Sequence, residues 1–395
     1  MKPRTTRSAN KSRTDRRRAI ARPVLTGPVS GKSFVFLLVL ALICAAPLTA
    51  EQAAAPTGPD TTKKTGDAEQ RAAALAGLEN QMRYAAASER KRAIRRVPDL
   101  KPEEQPPFLT LIDQFAREDL DYSIREVSLR TLGQAKHAAS AETMIKALED
   151  DRPEVVLAAI AGLDLLRSDA AKAPLTALLQ KADFSENDPT VASAIRLLAR
   201  LQHREVAEFL KQKAEDKATH GGLRLPIVLY FGQAGAREMN DYLMTIVKDE
   251  EAEIITRSYA VNSVGKLGEK KTVPDLRAEL DKIRNLPNPR ERARFSPLKL
   301  QLLTALVRLG DDSVEKELIA AARDDDARVR VRAIAQIGEA RMASARPLLE
   351  YIVKHDASVG ARRAATKALK QLDGTDDSDE AEDPAAEVEA APTEN

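Results

Sequence analysis

Four histidines are the side chains in this sequence best suited to binding a metal ion or moving a proton near neutral pH. They are His137, His203, His220 and His355. Each lies near a turn and far along the chain from the others, whereas a metal site needs convergent ligands. No serine or cysteine has a credible base, and the sequence contains no phosphate-binding or dinucleotide-binding glycine motif. We therefore predict no metal, no cofactor and no catalytic residue, and we expect that the protein is not an enzyme.

The elements that position these side chains follow a repeat. Nine positions, here termed repeat starts, define it: Glu89, Ile124, Val155, Thr190, Leu223, Thr256, Leu298, Val329 and Ala361. Eight residues after each start stands an apolar residue: Val97, Leu132, Leu163, Leu198, Phe231, Val264, Leu306, Ile337 and Leu369. Twenty residues after the first eight starts the residue is again apolar: Leu109, Met144, Leu175, Leu210, Leu243, Leu276, Leu318 and Leu349.

The second of these columns is the independent test, because the register was chosen on the first. With 43% of the chain hydrophobic, eight such matches have a chance probability of about 0.1%. A repeat of 31 to 42 residues built from two helices indicates an α-solenoid, and solenoids usually bind other molecules. We predict an all-α fold, a right-handed α-solenoid of eight antiparallel helix pairs followed by a single helix over 358–371.

Each repeat contains the signals of two helices. In VRVRAIAQIG one helical face carries Val329, Ala333, Ile334 and Ile337, and Gly338 is predicted to end the helix. Several second helices begin with a proline in the first turn, where the missing N–H removes no hydrogen bond. These prolines are Pro174, Pro274 and Pro347.

A basic residue directly follows seven of the nine starts: Arg90, Arg125, Arg224, Arg257, Lys299, Arg330 and Arg362. Acids precede many of the same helices: Asp121, Asp151, Asp188, Glu251, Asp326 and Asp356. We favour ion pairing between these basic side chains and acids near the helix N-termini. The alternative is a row of cations that binds a ligand.

Two repeats match a known pattern most closely. One combines Asp326, Val329-Arg330, Ala333, Ile337-Gly338 and Pro347-Leu348; the other has Asp121, Ile124-Arg125 and Leu132-Gly133. Over about residues 89–371 the chain thereby resembles the HEAT-repeat superfamily, in particular the phycobilisome lyase HEAT-like short repeats. The resemblance implies an α-solenoid. The His-Glu pairs of HEAT-type iron hydroxylases do not occur here.

The first fifty residues have a different chemistry. Residues 1–50 hold ten Lys or Arg and one acid, and 34–46 are an unbroken apolar run. Thirteen apolar residues are too few to span a bilayer and are typical of a signal peptide, with cleavage expected before Glu51. We therefore expect export to the periplasm or beyond the cell. The alternatives are an uncleaved anchor at 34–50 in the inner membrane and lipidation at Cys44.

The remaining boundaries follow from composition. Residues 1–50 are predicted to be an export signal with a long basic leader, 51–68 a flexible linker and 69–372 the solenoid. The segment 373–395 has ten acids and no Lys or Arg, so we predict a disordered acidic tail.

We interpret the chain as an exported, non-catalytic scaffold that binds another protein in the bacterial envelope. The alternative is a lyase-like accessory or chaperone for a cofactor-bearing protein. A near-neutral body without tryptophan disfavours nucleic acid as a partner, and the membrane is a partner only through an uncleaved amino-terminal segment. The candidate partner-binding loop is the insertion that lengthens one repeat to 42 residues, with Arg284, Arg290, Arg292, Arg294 and Phe295.

Overall fold

The computed structural model describes residues 61–375, which form nineteen α-helices and no strand. In chain order these helices are α1 Thr61–Tyr84, α2 Ala87–Arg95, α3 Gln105–Glu118, α4 Tyr122–Gln134, α5 Ala141–Lys146, α6 Pro153–Leu166, α7 Lys172–Lys181, α8 Pro189–Arg200, α9 Ala207–Glu215, α10 Gly221–Ala234, α11 Asn240–Lys248, α12 Ile254–Leu267, α13 Val273–Arg284, α14 Pro289–Arg294, α15 Ser296–Arg308, α16 Glu315–Ala321, α17 Ala327–Glu339, α18 Arg346–His355 and α19 Val359–Asp373. The all-α solenoid predicted from the sequence is confirmed.

The helices form eight consecutive pairs. The first helices are α2, α4, α6, α8, α10, α12, α15 and α17, each followed by its second helix. Helix α19 stands alone after the last pair, close to the predicted span of 358–371. First helices pack on the first helix of the next repeat. The predicted prolines lie in the first turns of α7, α13 and α18.

The two apolar columns form the core of this array. All residues of the first column except Leu369 have no exposed surface, and in the second column only Leu109, at 6%, exceeds zero. Leu369 is half-buried because it lies on α19, which has no further helix pair on its outer side among the described residues. Each pair therefore buries its apolar side chains against its own partner helix and the neighbouring repeats.

The glycine expected to end the first helix has a different role. Gly338 lies inside α17, one residue before its last residue, so the prediction that it terminates the helix is wrong. A Cβ atom on Gly338 would lie 2.8 Å from the Cα of Ala368 in α19. The same contact recurs between Gly232 and Ser263, at 2.5 Å. The glycine is therefore required because the next first helix approaches too closely for any side chain.

The left-handed residue that ends most first helices comes three positions later. Twelve residues after each of seven starts, φ is positive: Lys136, Arg167, Gln202, Gly235, Gly268, Gly310 and Arg341. This backbone conformation favours glycine. Four of the seven residues nevertheless have side chains, so residue type did not reveal the position.

Two predicted boundaries and the predicted loop differ from the structure. Helix α1 begins at Thr61, inside the segment predicted as a linker, and buries Leu78 and Met82 against the first repeat. Helix α19 continues to Asp373, the first residue of the predicted tail. The insertion is not simply a loop, since it contains α14. The apolar run at 34–46 and residues 376–395 lie outside the described residues.

Within residues 61–375, no helix combines the length and the hydropathy needed to cross a membrane.

Candidate functional site

The column of basic residues serves to connect repeats. The guanidinium of Arg125 pairs with both carboxylate oxygens of Asp150, at 2.8 and 2.9 Å, and donates to the carbonyl of Asp119 at 3.0 Å. Arg330 makes the same contacts with Asp356, at 3.1 and 3.2 Å, and with the carbonyl of Asp324 at 2.8 Å. These arginines join the loops on either side of the helix pair, so the ion-pair interpretation explains the column better than a ligand does.

A buried version of this contact lies in the middle of the array. Arg257 donates to the carbonyl of Val247 at 3.0 Å and to Glu279 at 2.9 Å. Its side chain and that of Glu279 are 7% and 5% exposed. Lys282 contacts the other oxygen of Glu279 at 3.0 Å. The carboxylate is therefore neutralised from two sides, as burial of a charge requires.

Several acids ahead of first helices are N-caps. Asp121, Asp188 and Asp326 each accept the backbone amide two residues later, at 2.9, 2.7 and 2.8 Å. The amide of Arg328 lowers the pKa of Asp326 by hydrogen bonding to its charged form. These acids satisfy helix N-termini and are not free to bind a ligand.

The four histidines remain apart, and each has a local contact. His137 lies 2.8 Å from the Ser140 hydroxyl, and His220 accepts the amide of Gly222 at 3.0 Å as the N-cap of α10. His203 lies 3.2 Å from the Thr176 hydroxyl. The ring of His355 packs on Tyr351, with centroids 4.7 Å apart. No three metal-binding side chains converge within the described part of the chain.

On the outward side of the second helices, ion pairs connect α11 to the region of α13. Lys271, in the turn before α13, contacts Asp241 of α11 at 3.1 Å, and Lys248 of α11 contacts Asp275 of α13 at 3.0 Å. These four side chains line a groove of about 340 Å³. Because the charges neutralise one another within the groove, it offers no charged group without a partner to a ligand.

The outward side of the first helices is apolar in the middle of the array. On α6, Leu157, Ala161 and Leu165 follow at helical spacing; the first two are half-buried and Leu165 is 49% exposed. On α10, Leu225 and Leu229 occupy the equivalent positions, two and six residues after the repeat start, and are half-buried. We call these five side chains the first-helix face.

Arginines of the neighbouring first helices α4 and α8 lie beside these side chains. Arg130 on α4 pairs with Glu126 at 2.7 Å, and Arg200 on α8 pairs with Asp164 at 2.5 Å. Arg196, on α8 between the two leucine-bearing helices, donates to the hydroxyl of Ser193 at 3.2 Å. Because these arginines already have partners, the apolar side chains are the part of this face that is suited to binding a protein.

Sequence reasoning missed the first-helix face. The sequence nevertheless contains a signal for it, because four leucines lie outside both core columns. They are Leu157, Leu165, Leu225 and Leu229. An apolar residue that the core does not use has to lie at the surface or at a contact. The repeat register alone does not tell these two outcomes apart.

The predicted insertion site is partly brought together. Arg284 is held by Asp281 at 2.9 Å and by Glu317 at 2.5 Å. Phe295 is half-buried and packs against the core. Arg290, Arg292 and Arg294 are exposed on α14. Two of the five predicted residues therefore anchor the insertion, and three arginines remain at its surface.

Helix pairs that stack through buried columns and are joined by arginine–aspartate contacts define an α-solenoid of short repeats. Family comparison places HEAT repeats at residues 109–188 and 314–387. These two stretches of the chain contain HEAT repeats. No curated protein sequence matches it.

Solved structures with a similar arrangement share little sequence with the chain. The complex of CpcE and CpcF of phycocyanin lyase from Nostoc sp. PCC7120 matches at 14% identity and a TM-score of 0.36, over 83% of this chain and 99% of that one. An engineered protein matches at 14% identity and 0.39, over 80% and 92%. A mutant of Kap121p matches at 11% identity and 0.41, over 75% of this chain and 45% of that one.

Proposed function

We propose that this HEAT-repeat protein is a non-catalytic scaffold that binds another protein through the first-helix face. The observation that supports this most directly is the exposure of Leu165 beside half-buried Leu157 and Ala161, on a side of the array where neighbouring repeats present arginines. Apolar surface removed from water stabilises a complex by roughly 25 cal/mol per Å². The groove between α11 and α13 offers no comparable surface, since ion pairs line it.

The proposal that the chain is not an enzyme draws on the same contacts. The histidines and the basic column are engaged in caps, packing and joins between repeats, which are structural tasks. The rival proposal, an accessory or chaperone for a cofactor-bearing protein, also requires binding of a protein. It differs in predicting that the captured partner contains a cofactor.

A charge placed on the first-helix face tests the proposed binding. Leu165→Glu puts a carboxylate where an apolar partner surface would have to desolvate it, so we expect at least a tenfold loss of partner recovery, or about 1.4 kcal/mol. Leu120→Glu is the matched control, because Leu120 is fully exposed in the α3–α4 loop. Recovery from the native host would be compared for the two variants after circular dichroism has confirmed that both are folded. Equal recovery would show that this face is not the binding surface.

Export to the bacterial envelope is part of the proposal. It is supported by the basic leader and the apolar run at 34–46. Cell fractionation followed by amino-terminal sequencing tests it, with a new terminus at Glu51 expected. Retention of residues 1–50 in a membrane fraction would favour the anchor at 34–50, and a cytosolic full-length chain would contradict both.

A further inference from the structure

Helix α14 presents two like charges on one side. Arg290 and Arg294 are four residues apart on the helix, both are exposed, and neither contacts an acid within residues 61–375. Like charges at this spacing oppose helix formation. By contrast, Arg284 is paired with Glu317 and Arg330 with Asp356. An anion that bridges Arg290 and Arg294 would relieve this repulsion.

The helix that holds these arginines is itself well anchored. Asn288 caps it by accepting the amide of Arg290 at 2.9 Å, and Phe295 packs against the core at its end. Arg292 points to the preceding turn, where it donates to the carbonyls of Leu286 and Pro287. The two free guanidiniums are therefore presented by an ordered platform, which lowers the entropic cost of binding an acidic segment.

A strongly acidic segment follows the array in the same chain. Residues 376–395 include nine Asp or Glu and no Lys or Arg. They continue from Thr375, directly after α19. Helix α14 leads into α15, which is two first helices before α19. With helices about 10 Å apart and α19 about 22 Å long, the segment has to span roughly 30 Å. Twenty residues reach at most about 70 Å.

We propose that residues 376–395 bind α14 of the same chain, with their carboxylates bridging Arg290 and Arg294. Single exposed ion pairs are weak, but a tethered segment has an effective concentration in the millimolar range, which favours binding without further contacts. The contact is electrostatic and exposed, so salt opposes it over a Debye length of about 8 Å. An acidic partner protein that binds α14 has to displace this segment first.

Distance measurement between spin labels tests the contact. In the full chain, Cys44→Ser removes the single cysteine, and Ala320→Cys and Ala386→Cys provide the labelling sites. Ala320 is exposed on α16 and lines a small groove with Ser296 at the start of α15. Pulsed electron resonance at low salt is expected to give a narrow distribution centred below about 35 Å. In Arg290→Gln/Arg294→Gln the distribution should broaden and move to longer distances.

The matched control is Arg92→Gln/Arg96→Gln. These two exposed arginines are also four residues apart and their loss changes the net charge equally, but they belong to the first repeat. The proposal requires that this variant keep the short distance and that added salt remove it. A distribution that is broad in every variant overturns the proposal, and so does a short distance that survives Arg290→Gln/Arg294→Gln. A signal lost on dilution with unlabelled protein shows binding between two copies and overturns the intramolecular contact.

Discussion

Replacing the glycine at a contact between first helices should destabilise the array, although alanine is the better helix former. In Gly232→Ala the new Cβ would lie 2.5 Å from the Cα of Ser263 and 2.8 Å from its Oγ. Ordinary contact begins near 3.4 Å, so α10 and α12 must separate by about 1 Å in a close-packed interior. Such overpacking costs about 1–3 kcal/mol, against a gain of about 1 kcal/mol in helix propensity. We expect a net loss of up to about 2 kcal/mol.

Gly77→Ala separates the packing effect from the propensity effect. Gly77 is exposed in α1, and no atom lies within 4 Å of the position its Cβ would take. This change should stabilise the protein by about 0.5–1 kcal/mol. Urea unfolding followed by circular dichroism gives both values. If Gly232→Ala is as stable as Gly77→Ala, the close approach of α10 and α12 does not explain the glycine.

Three further predictions concern stability. Arg257→Met leaves the buried carboxylate of Glu279 with Lys282 as its remaining cationic partner, so it should cost up to about 3–5 kcal/mol in urea unfolding. The control Lys271→Met, at an exposed pair, should cost under about 1 kcal/mol, and equal losses would refute the distinction. Arg341 has a φ of 51°, a left-handed conformation that favours glycine. Arg341→Gly should therefore raise the free energy of unfolding by about 0.5–1 kcal/mol. A lower free energy of unfolding would show that the contacts of the side chain matter more than the backbone conformation. Arg277 holds the pKa of Asp311 at about 2, below its ordinary 3.8, so its stabilising effect is present above pH 3.8 and is lost as the pH falls towards 2. Thermal unfolding over that range should depend less on pH in Asp311→Asn, and an unchanged dependence would contradict this assignment.

The fold could be predicted from the sequence because burial recurs at each repeat. Leu132 and Leu163 occupy equivalent positions and are fully buried for the same reason, so one register predicts the whole core. The residue at which each first helix ends was harder to predict. Gly338 has the residue type expected of a helix end but is needed for contact with α19, whereas Arg341 has the left-handed backbone. Two different constraints favour glycine, a close contact between helices and a left-handed backbone. The presence of a glycine alone does not show which of them applies.

The candidate site was harder to predict because exposure depends on how closely neighbouring repeats approach. Six residues after their starts, Ala161 and Leu229 are half-buried, whereas Asn262 at the equivalent position of α12 is only 7% exposed. A Cβ on Gly265 would lie 2.9 Å from that of Ala305, which shows how tightly α12 and α15 pack. The close contact between α12 and α15 therefore accompanies the burial of Asn262. Equivalent positions in the register thus differ in exposure because their neighbouring helices differ, so core and binding surface cannot be assigned from the register alone.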